Sequence, residues 1–270
     1  MITSFDKRIV RYEEIHNIRQ EHFDTLCSLI NPFDGQNILD LGSGYGACTR
    51  ELIKHYPNNK FVFTLTDNSD VQLSRSKTEI PQILLDNNSA SIVNFDSDDI
   101  VKSKFDDNTF DVIVAKMVIH EINKNDQLTA LKEIFRLLKP GGKFIFWDLY
   151  LNSDTQDFFQ SIITEKDRLC EFETLYRNRH FLTGKEIFSL FIDAGFSNTT
   201  KEEDIMTPLI TMNRLKDEFK NDKVLLDKWH TYILNKAKNT DPYILFNLSF
   251  KNLGEYLIIT PPKAIITANK

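Results

Sequence analysis

Asn37-Ile38-Leu39-Asp40-Leu41-Gly42-Ser43-Gly44-Tyr45-Gly46 runs from an apolar strand into three glycines at alternate positions. Glycine tolerates positive φ and has no Cβ, so such a turn can pass close under a bound molecule. The helix expected to begin near Ala47 then points its free amides at that molecule. A dinucleotide fingerprint reads G-x-G-x-x-G, whereas here the third glycine arrives one residue early, as Gly46, and Ala47 stands in its place. Asp40, two residues ahead of the first glycine, completes D-x-G-x-G-x-G.

Outward from this turn, strands and helices alternate. Phe61 to Asp67 and Ser91 to Asp96 are β-branched or aromatic runs that each end in an acid, with a helix expected over Val71 to Leu85 between them. Phe110 to Ala115 reads as a fourth strand, and Lys143 to Asp148 as a fifth. The helix between them, Asp126 to Leu138, stops at Lys139-Pro140-Gly141-Gly142, where proline and glycine break the pattern. Thr183-Gly184-Lys185-Glu186 has the form of a capping box, opening a helix that ends at Gly195. Ser197 to Glu203 and Glu255 to Thr260 read as two closing strands. Alternation of this kind implies right-handed crossovers and a parallel, doubly wound α/β sheet.

Three segments fall outside the alternation. An N-terminal helical cap over 1–35 carries Ile15, Ile18, Phe23, Leu26 and Leu29 at helical spacing. Insertions over 151–182 and 206–253 are expected to be helices laid over the carboxyl ends of the strands, where an open sheet binds its ligands, forming a substrate lid. The core is thereby assigned to 36–205 and 254–263.

Composition narrows the partners. The 270 residues hold 33 Lys plus Arg against 39 Asp plus Glu, a net charge of −6, so no basic field gathers nucleic acid. No run has the length of a membrane span, and no apolar signal core opens the chain, which implies a cytoplasmic setting. Cys27, Cys48 and Cys170 are scattered without C-x-x-C pairing, as reduced buried thiols are. A homodimer is compatible with this composition.

The D-L-G-S-G-Y-G turn after a strand resembles motif I of class I S-adenosylmethionine-dependent methyltransferases of the small-molecule type. The resemblance runs from about Ile38 to Gly195 and includes Lys139-Pro140-Gly141-Gly142 before a strand. It implies a Rossmann-like, seven-stranded sheet, mostly parallel with an antiparallel last strand. It also implies S-adenosyl-L-methionine as cofactor and a small-molecule substrate. Gly42 and Gly44, with Ser43, would leave room for the methionine part, and Asp40 would accept from its ammonium. Asp67, about twenty residues beyond the glycines at a strand end, suits the two hydroxyls of a ribose, with Asn68 beside it. Asp96 and Ser97 would face the adenine, although Asp96 to Asp99 could equally cap the next helix. Lys116, at the end of strand four, completes the cofactor set.

Methyl transfer asks mainly that the acceptor be held in line with the methyl and that water be excluded. A hydroxyl or amine acceptor also benefits from a base. His120, five residues past strand four, is the candidate by position; a histidine there also serves as a hydrogen-bonded structural residue. Tyr12, His16 and His180 are the candidates for contact with substrate. Strand four lacks the Asn/Asp-Pro-Pro-aromatic sequence that methylates nucleobase amines, and Asp148 is followed by Leu149 rather than the Asn of metal-dependent catechol-type enzymes, so no metal is expected. The acceptor atom is left as O, N or C. Two other readings stand beside this one. One is a protein of this fold that binds the cofactor without transferring methyl. The other is a nicotinamide-dependent oxidoreductase, against which stand the early Gly46 and the absence of a Tyr-x-x-x-Lys dyad on a suitable helix.

Overall fold

The computed structural model describes residues 18–270. Its strands are β1 (Asn37–Leu41), β2 (Val62–Thr66), β3 (Ile92–Asp96), β4 (Phe110–Lys116) and β5 (Leu138–Leu149), then β6 (Ser197–Met206), β7 (Leu209–Ile210), β8 (Lys251–Asn252), β9 (Leu257–Ile259) and β10 (Pro262–Asn269). Seven of them form one sheet in the order β3-β2-β1-β4-β5-β10-β6. β1 to β5 pair in parallel, and β10 runs antiparallel to both of its neighbours. The expected Rossmann-like architecture, with its antiparallel last strand, is therefore present. Strand order reverses between β1 and β4, and the crevice at their carboxyl ends is where such a sheet binds ligands.

Side chains alternate across the sheet and build a core on each face. Leu39, Ile113, Phe144, Phe146 and Ile266 pack on one side, against Leu131 and Ile134 of α4 (Gln127–Leu137) and Ile187 and Phe191 of α7 (Gly184–Ala194). Ile38, Val112, Val114, Ile145 and Trp147 pack on the other. There they meet α1 (Gln20–Ser28), α2 (Ala47–His55) and α3 (Asp70–Asp86) through Phe23, Leu52 and Ile80. Central strands buried on both faces are why these runs are almost wholly apolar. The capping box at α7 is formed: Glu186 N donates to Thr183 Oγ1 over 3.1 Å, and Thr183 N donates to Glu186 Oε2 over 2.7 Å.

Two features depart from the sequence reading. Glu255 to Thr260, expected to close the sheet, instead supplies β9 to a separate three-stranded sheet in the order β7-β9-β8. The seventh strand is β10, whose Ala264, Ile265, Ile266 and Ala268 are fully buried. Both segments are short apolar runs, and periodicity alone does not tell which one pairs with β5. The second departure is at Lys139 to Gly142. The proline-glycine break lies inside β5 as an irregularity: pairing with β4 shifts register between Phe110 and Val112, and Gly141 takes φ +77°.

The small sheet belongs with α5 (Ser153–Leu169), α6 (Glu173–Asn178), α8 (Thr211–Asp217), α9 (Lys223–Lys238) and α10 (Pro242–Asn247), the segments that the sequence reading expects to form a lid. This region has its own apolar cluster, centred on Phe159, Ile162, Phe219, Trp229 and Ile233. Trp229 is fully buried and its Nε1 donates to the Ile162 carbonyl over 2.7 Å, tying α9 to α5. Trp229→Ala should cost the lid about 3–5 kcal/mol. In amide hydrogen exchange, α5 and α9 should lose protection while β1, β4 and β5 keep theirs; a uniform loss would mean that the lid and sheet unfold as one unit.

Candidate active site

The glycine turn follows β1 and enters α2. Gly42 and Gly44 take φ of +60° and +53°, the left-handed region. A Cβ at Gly42 would stand 2.5 Å from Val118 Cγ2, whereas one at Gly44 would meet nothing within 4 Å. Gly42 is thus required by packing, and Gly44 leaves backbone open to the crevice. Ser43 N donates to the Thr66 carbonyl over 2.8 Å. Asp67, one residue past β2, then fixes the turn from below: its Oδ2 accepts from Gly44 N over 2.9 Å and its Oδ1 from Ser69 N over 2.8 Å.

The turn floors a cavity of about 340 Å³. Asp40, Gly42, Ser43, Gly44, Asp67, Asn68 and Lys116 all line it. Asp40 is buried, and its Oδ2 accepts from both Thr49 N and Thr49 Oγ1, at 3.1 and 2.7 Å. Burial pushes its pKa up to about 6 against those hydrogen bonds and the nearby Lys116 charge. Lys116 Nζ lies 5.6 Å from the Trp147 ring centre and 5.9 Å from that of Phe23, distances at which aromatic faces attract a cation. The Ser43 hydroxyl is buried without a hydrogen-bond partner among the described residues, which is costly unless a ligand supplies one.

Asp96 and Ser97 lie outside this lining. Lys104 pairs with the Asp96 carboxylate and donates to the Ser97 carbonyl, turning both toward the loop that follows β3. Asp98, Asp99, Ile100 and Val101 line the cavity instead. Tyr45, Cys48, Gln72, Val118, Asn123 and Asp126 also line the cavity. The first two could have been found from the turn itself, since they lie within it or at the start of the helix that follows it; the others come together only through folding. Tyr12 and His16 lie outside the described residues. His180 lines neither the large cavity nor the one beside His120: its Nε2 stands 3.2 Å from Glu186 Oε1 in the cap of α7.

His120 opens on a second, smaller cavity of about 40 Å³, which shares Met117 and Glu121 with the first. Its Nδ1 lies 2.5 Å from Asp148 Oδ1 and its Nε2 lies 3.2 Å from Glu121 Oε1. Burial disfavours its charge, but the two carboxylates outweigh burial and raise the imidazole to about 9. With both nitrogens engaged and the ring protonated at neutral pH, this geometry suits a positioning residue and opposes the base role. The network continues through Arg179, which donates to Glu121 Oε2 and Asp167 Oδ2, each over 2.8 Å, and through Lys166, 2.7 Å from Asp167 and 2.9 Å from Glu218.

Residues 38–142 match the family described as "Methyltransferase domain". Over those residues the core is similar to a methyltransferase domain. Among curated proteins, the chain is 32% identical over 139 residues to the sterol 24-C-methyltransferase erg6 of Aspergillus fumigatus, covering 52% of this chain and 34% of that one. It is 29% identical over 180 residues to the chloroplastic 2-phytyl-1,4-beta-naphthoquinone methyltransferase of Arabidopsis thaliana, covering 63% and 67% respectively. The chain thus spans about a third of the length of the sterol methyltransferase. The fold is similar to that of the YcgJ protein from Bacillus subtilis, with a TM-score of 0.72 at 13% identity over 93% of this chain and 99% of that one. No helix among the described residues is long and apolar enough to cross a membrane.

The buried pair of His120 and Asp148 is open to titration. The folded state keeps a proton on His120 that the unfolded chain releases at 6.5, so the pair's contribution is full below pH 6.5 and fades as pH rises through about 9. His120→Gln should cost on the order of 3 kcal/mol below pH 6.5, because Asp148 and Glu121 lose a buried cation. In urea titrations that difference should shrink above pH 9; a difference that stays constant with pH would show that the ring is neutral when folded. At the turn, Gly42→Ala should lower Tm more than Gly44→Ala, since both meet the φ strain but only the first meets Val118.

Proposed function

We propose that this chain transfers a methyl group from S-adenosyl-L-methionine to O, N or C of a small molecule held under the lid region. The observation that carries the reading is the charge of the large cavity. Its lining includes Asp40, Asp67, Asp98, Asp99, Glu121 and Asp126 around a turn of glycine amides, with Lys116 facing them. Such a lining favours a cationic ligand and repels the pyrophosphate of a nicotinamide dinucleotide. It therefore weighs against the oxidoreductase reading on grounds independent of the early Gly46.

The residues present fit the cofactor. Asp67, already aligned by Gly44 and Ser69, would take the ribose hydroxyls, with Asn68 beside it. Asp40 and the backbone at Gly44, where no Cβ intervenes, would meet the amino-acid end, and the Ser43 hydroxyl would gain the partner it lacks. Asp98 and Asp99 would approach the base in place of Asp96 and Ser97. When bound, the cofactor supplies a methyl already activated on a sulfonium. The chain's own contribution is to orient the acceptor and exclude water, which transfer of an activated methyl chiefly needs.

For the acceptor, Met117, Leu149, Phe159, Ile163, Phe181 and Leu209 give the small cavity an apolar wall. This supports an acceptor whose end in that cavity is bordered by apolar side chains, in keeping with relatives named for a sterol and a naphthoquinone. The three cysteines are free, as in a cytoplasmic protein. A fold that binds the cofactor without using it is separated by turnover: labelled methyl from S-adenosylmethionine should appear in a metabolite extract incubated with the protein. Calorimetry should show S-adenosylmethionine and S-adenosylhomocysteine binding and NAD not binding. Asp67→Ala should weaken S-adenosylmethionine by tenfold or more, about 1.4 kcal/mol. Binding of NAD alone would overturn the proposal, and cofactor binding without any labelled product would favour the non-transferring alternative.

A further inference from the structure

Lys263 opens β10, opposite Leu149 at the end of β5, which places it at the carboxyl edge of the sheet beneath the lid. Its side chain is fully buried and lines the small cavity. Nζ donates to Thr207 Oγ1 over 2.6 Å and to the Thr207 carbonyl over 3.3 Å, which leaves one of its three ammonium hydrogens without a partner among the described residues. Each other cation facing this cavity has its acid: His120 has Asp148 and Glu121, Arg179 has Glu121 and Asp167, Lys166 has Asp167 and Glu218, and Arg214 has Glu218. Lys263 has no carboxylate within the 4.0 Å of an ion pair among the described residues.

A buried ammonium without an anion is expensive, and a lysine so placed sheds its proton. Burial draws Lys263 down to about 7; Arg214 and, more weakly, Lys116 push the same way, and Asp148 opposes. Among the described residues, the ion pairs around this cavity therefore balance when Lys263 is an amine and carry one positive charge in excess when it is protonated. The cavity has room for a group little larger than one water, and it adjoins the large cavity at Met117 and Glu121. A molecule lying beside the cofactor could thus place one small terminal group against Nζ.

Resting on the methyltransferase reading above, we propose that the acceptor carries an acidic oxygen, a carboxylate or an ionised enol or phenol, and that this oxygen docks on Lys263 as Nζ gains a proton. For a carboxylate the proton comes from solvent. For an enol or phenol it is the acceptor's own, moved from oxygen to nitrogen. Either way the arriving anion supplies the charge that the buried ammonium lacks, and the rest of the molecule lies in the large cavity, which adjoins at Met117 and Glu121.

The test uses the full chain loaded with S-adenosylhomocysteine, titrated with benzoate at pH 8 in two buffers of different ionisation enthalpy. Benzoate should bind with uptake of about one proton, since Lys263 starts as the amine and ends as the ammonium. Phenol should bind with no net uptake, and its difference spectrum should show phenolate. Lys263→Met should weaken benzoate by about tenfold or more and abolish the uptake while leaving affinity for S-adenosylhomocysteine unchanged. Lys263→Arg, which keeps the charge should the methionine variant fail to fold, should bind benzoate without uptake. If neither probe binds the loaded wild-type protein, or benzoate binds the methionine variant as well as wild type, the proposal is overturned alone. Failure of S-adenosylhomocysteine to bind wild type overturns the cofactor reading, and this proposal with it.

Discussion

The guanidinium of Arg179 is where the two parts of the molecule are joined. It contacts Glu121, in the turn after β4, and Asp167, on α5 of the lid, and it is itself buried. Removing one partner from such a group leaves an uncompensated charge, which costs more than the intact pair contributes. The network therefore acts on geometry. It holds the lid over the carboxyl ends of the strands through the pair that spans the two parts, Arg179 with Glu121. The small cavity owes its shape to that placement, and Glu121 lines both cavities.

Beneath the network the sheet does a second job. Parallel strands deliver Asp40, Asp67 and Lys116 to one edge from β1, β2 and β4, three segments far apart in the chain. The glycine turn is rigid for two different reasons. Gly42 is pressed against Val118, and Gly44 is held by the Asp67 carboxylate. Asp67 is thereby both a wall of the cavity and a brace for the turn that floors it, so changes at this residue act on shape as well as on contact. The concentration of carboxylates around amides follows from the same geometry, and it sets the sign of the ligand that the crevice favours.

Much of the fold was legible in the sequence because local patterns carried it. The apolar runs of β1, β2 and β4 are buried on both faces and have no competing reading, and the Thr183–Glu186 capping box marks the start of α7 within the chain itself. Where two segments had equal local claims, the sequence reading failed. Glu255 to Thr260 and Pro262 to Asn269 are both short and apolar, and which of them pairs with β5 depends on the path the lid leaves open to the chain. Asp96 and Asp98 differ by two positions in one acidic run, and Lys104 decides which of them turns outward.

By itself, then, the sequence determined the doubly wound sheet, the glycine turn and the strand-end acid at Asp67, because periodicity, the φ freedom of glycine and fixed spacing are properties of short stretches of chain. Only the tertiary structure decided the protonation of His120 and Lys263. Both are ionisable side chains near the same cavity, yet one lies between two carboxylates and is driven to hold its proton, and the other lies against a threonine and is driven to release it. A side chain's charge in the interior depends on what distant segments place within a few ångströms of it, and no local pattern contains that information.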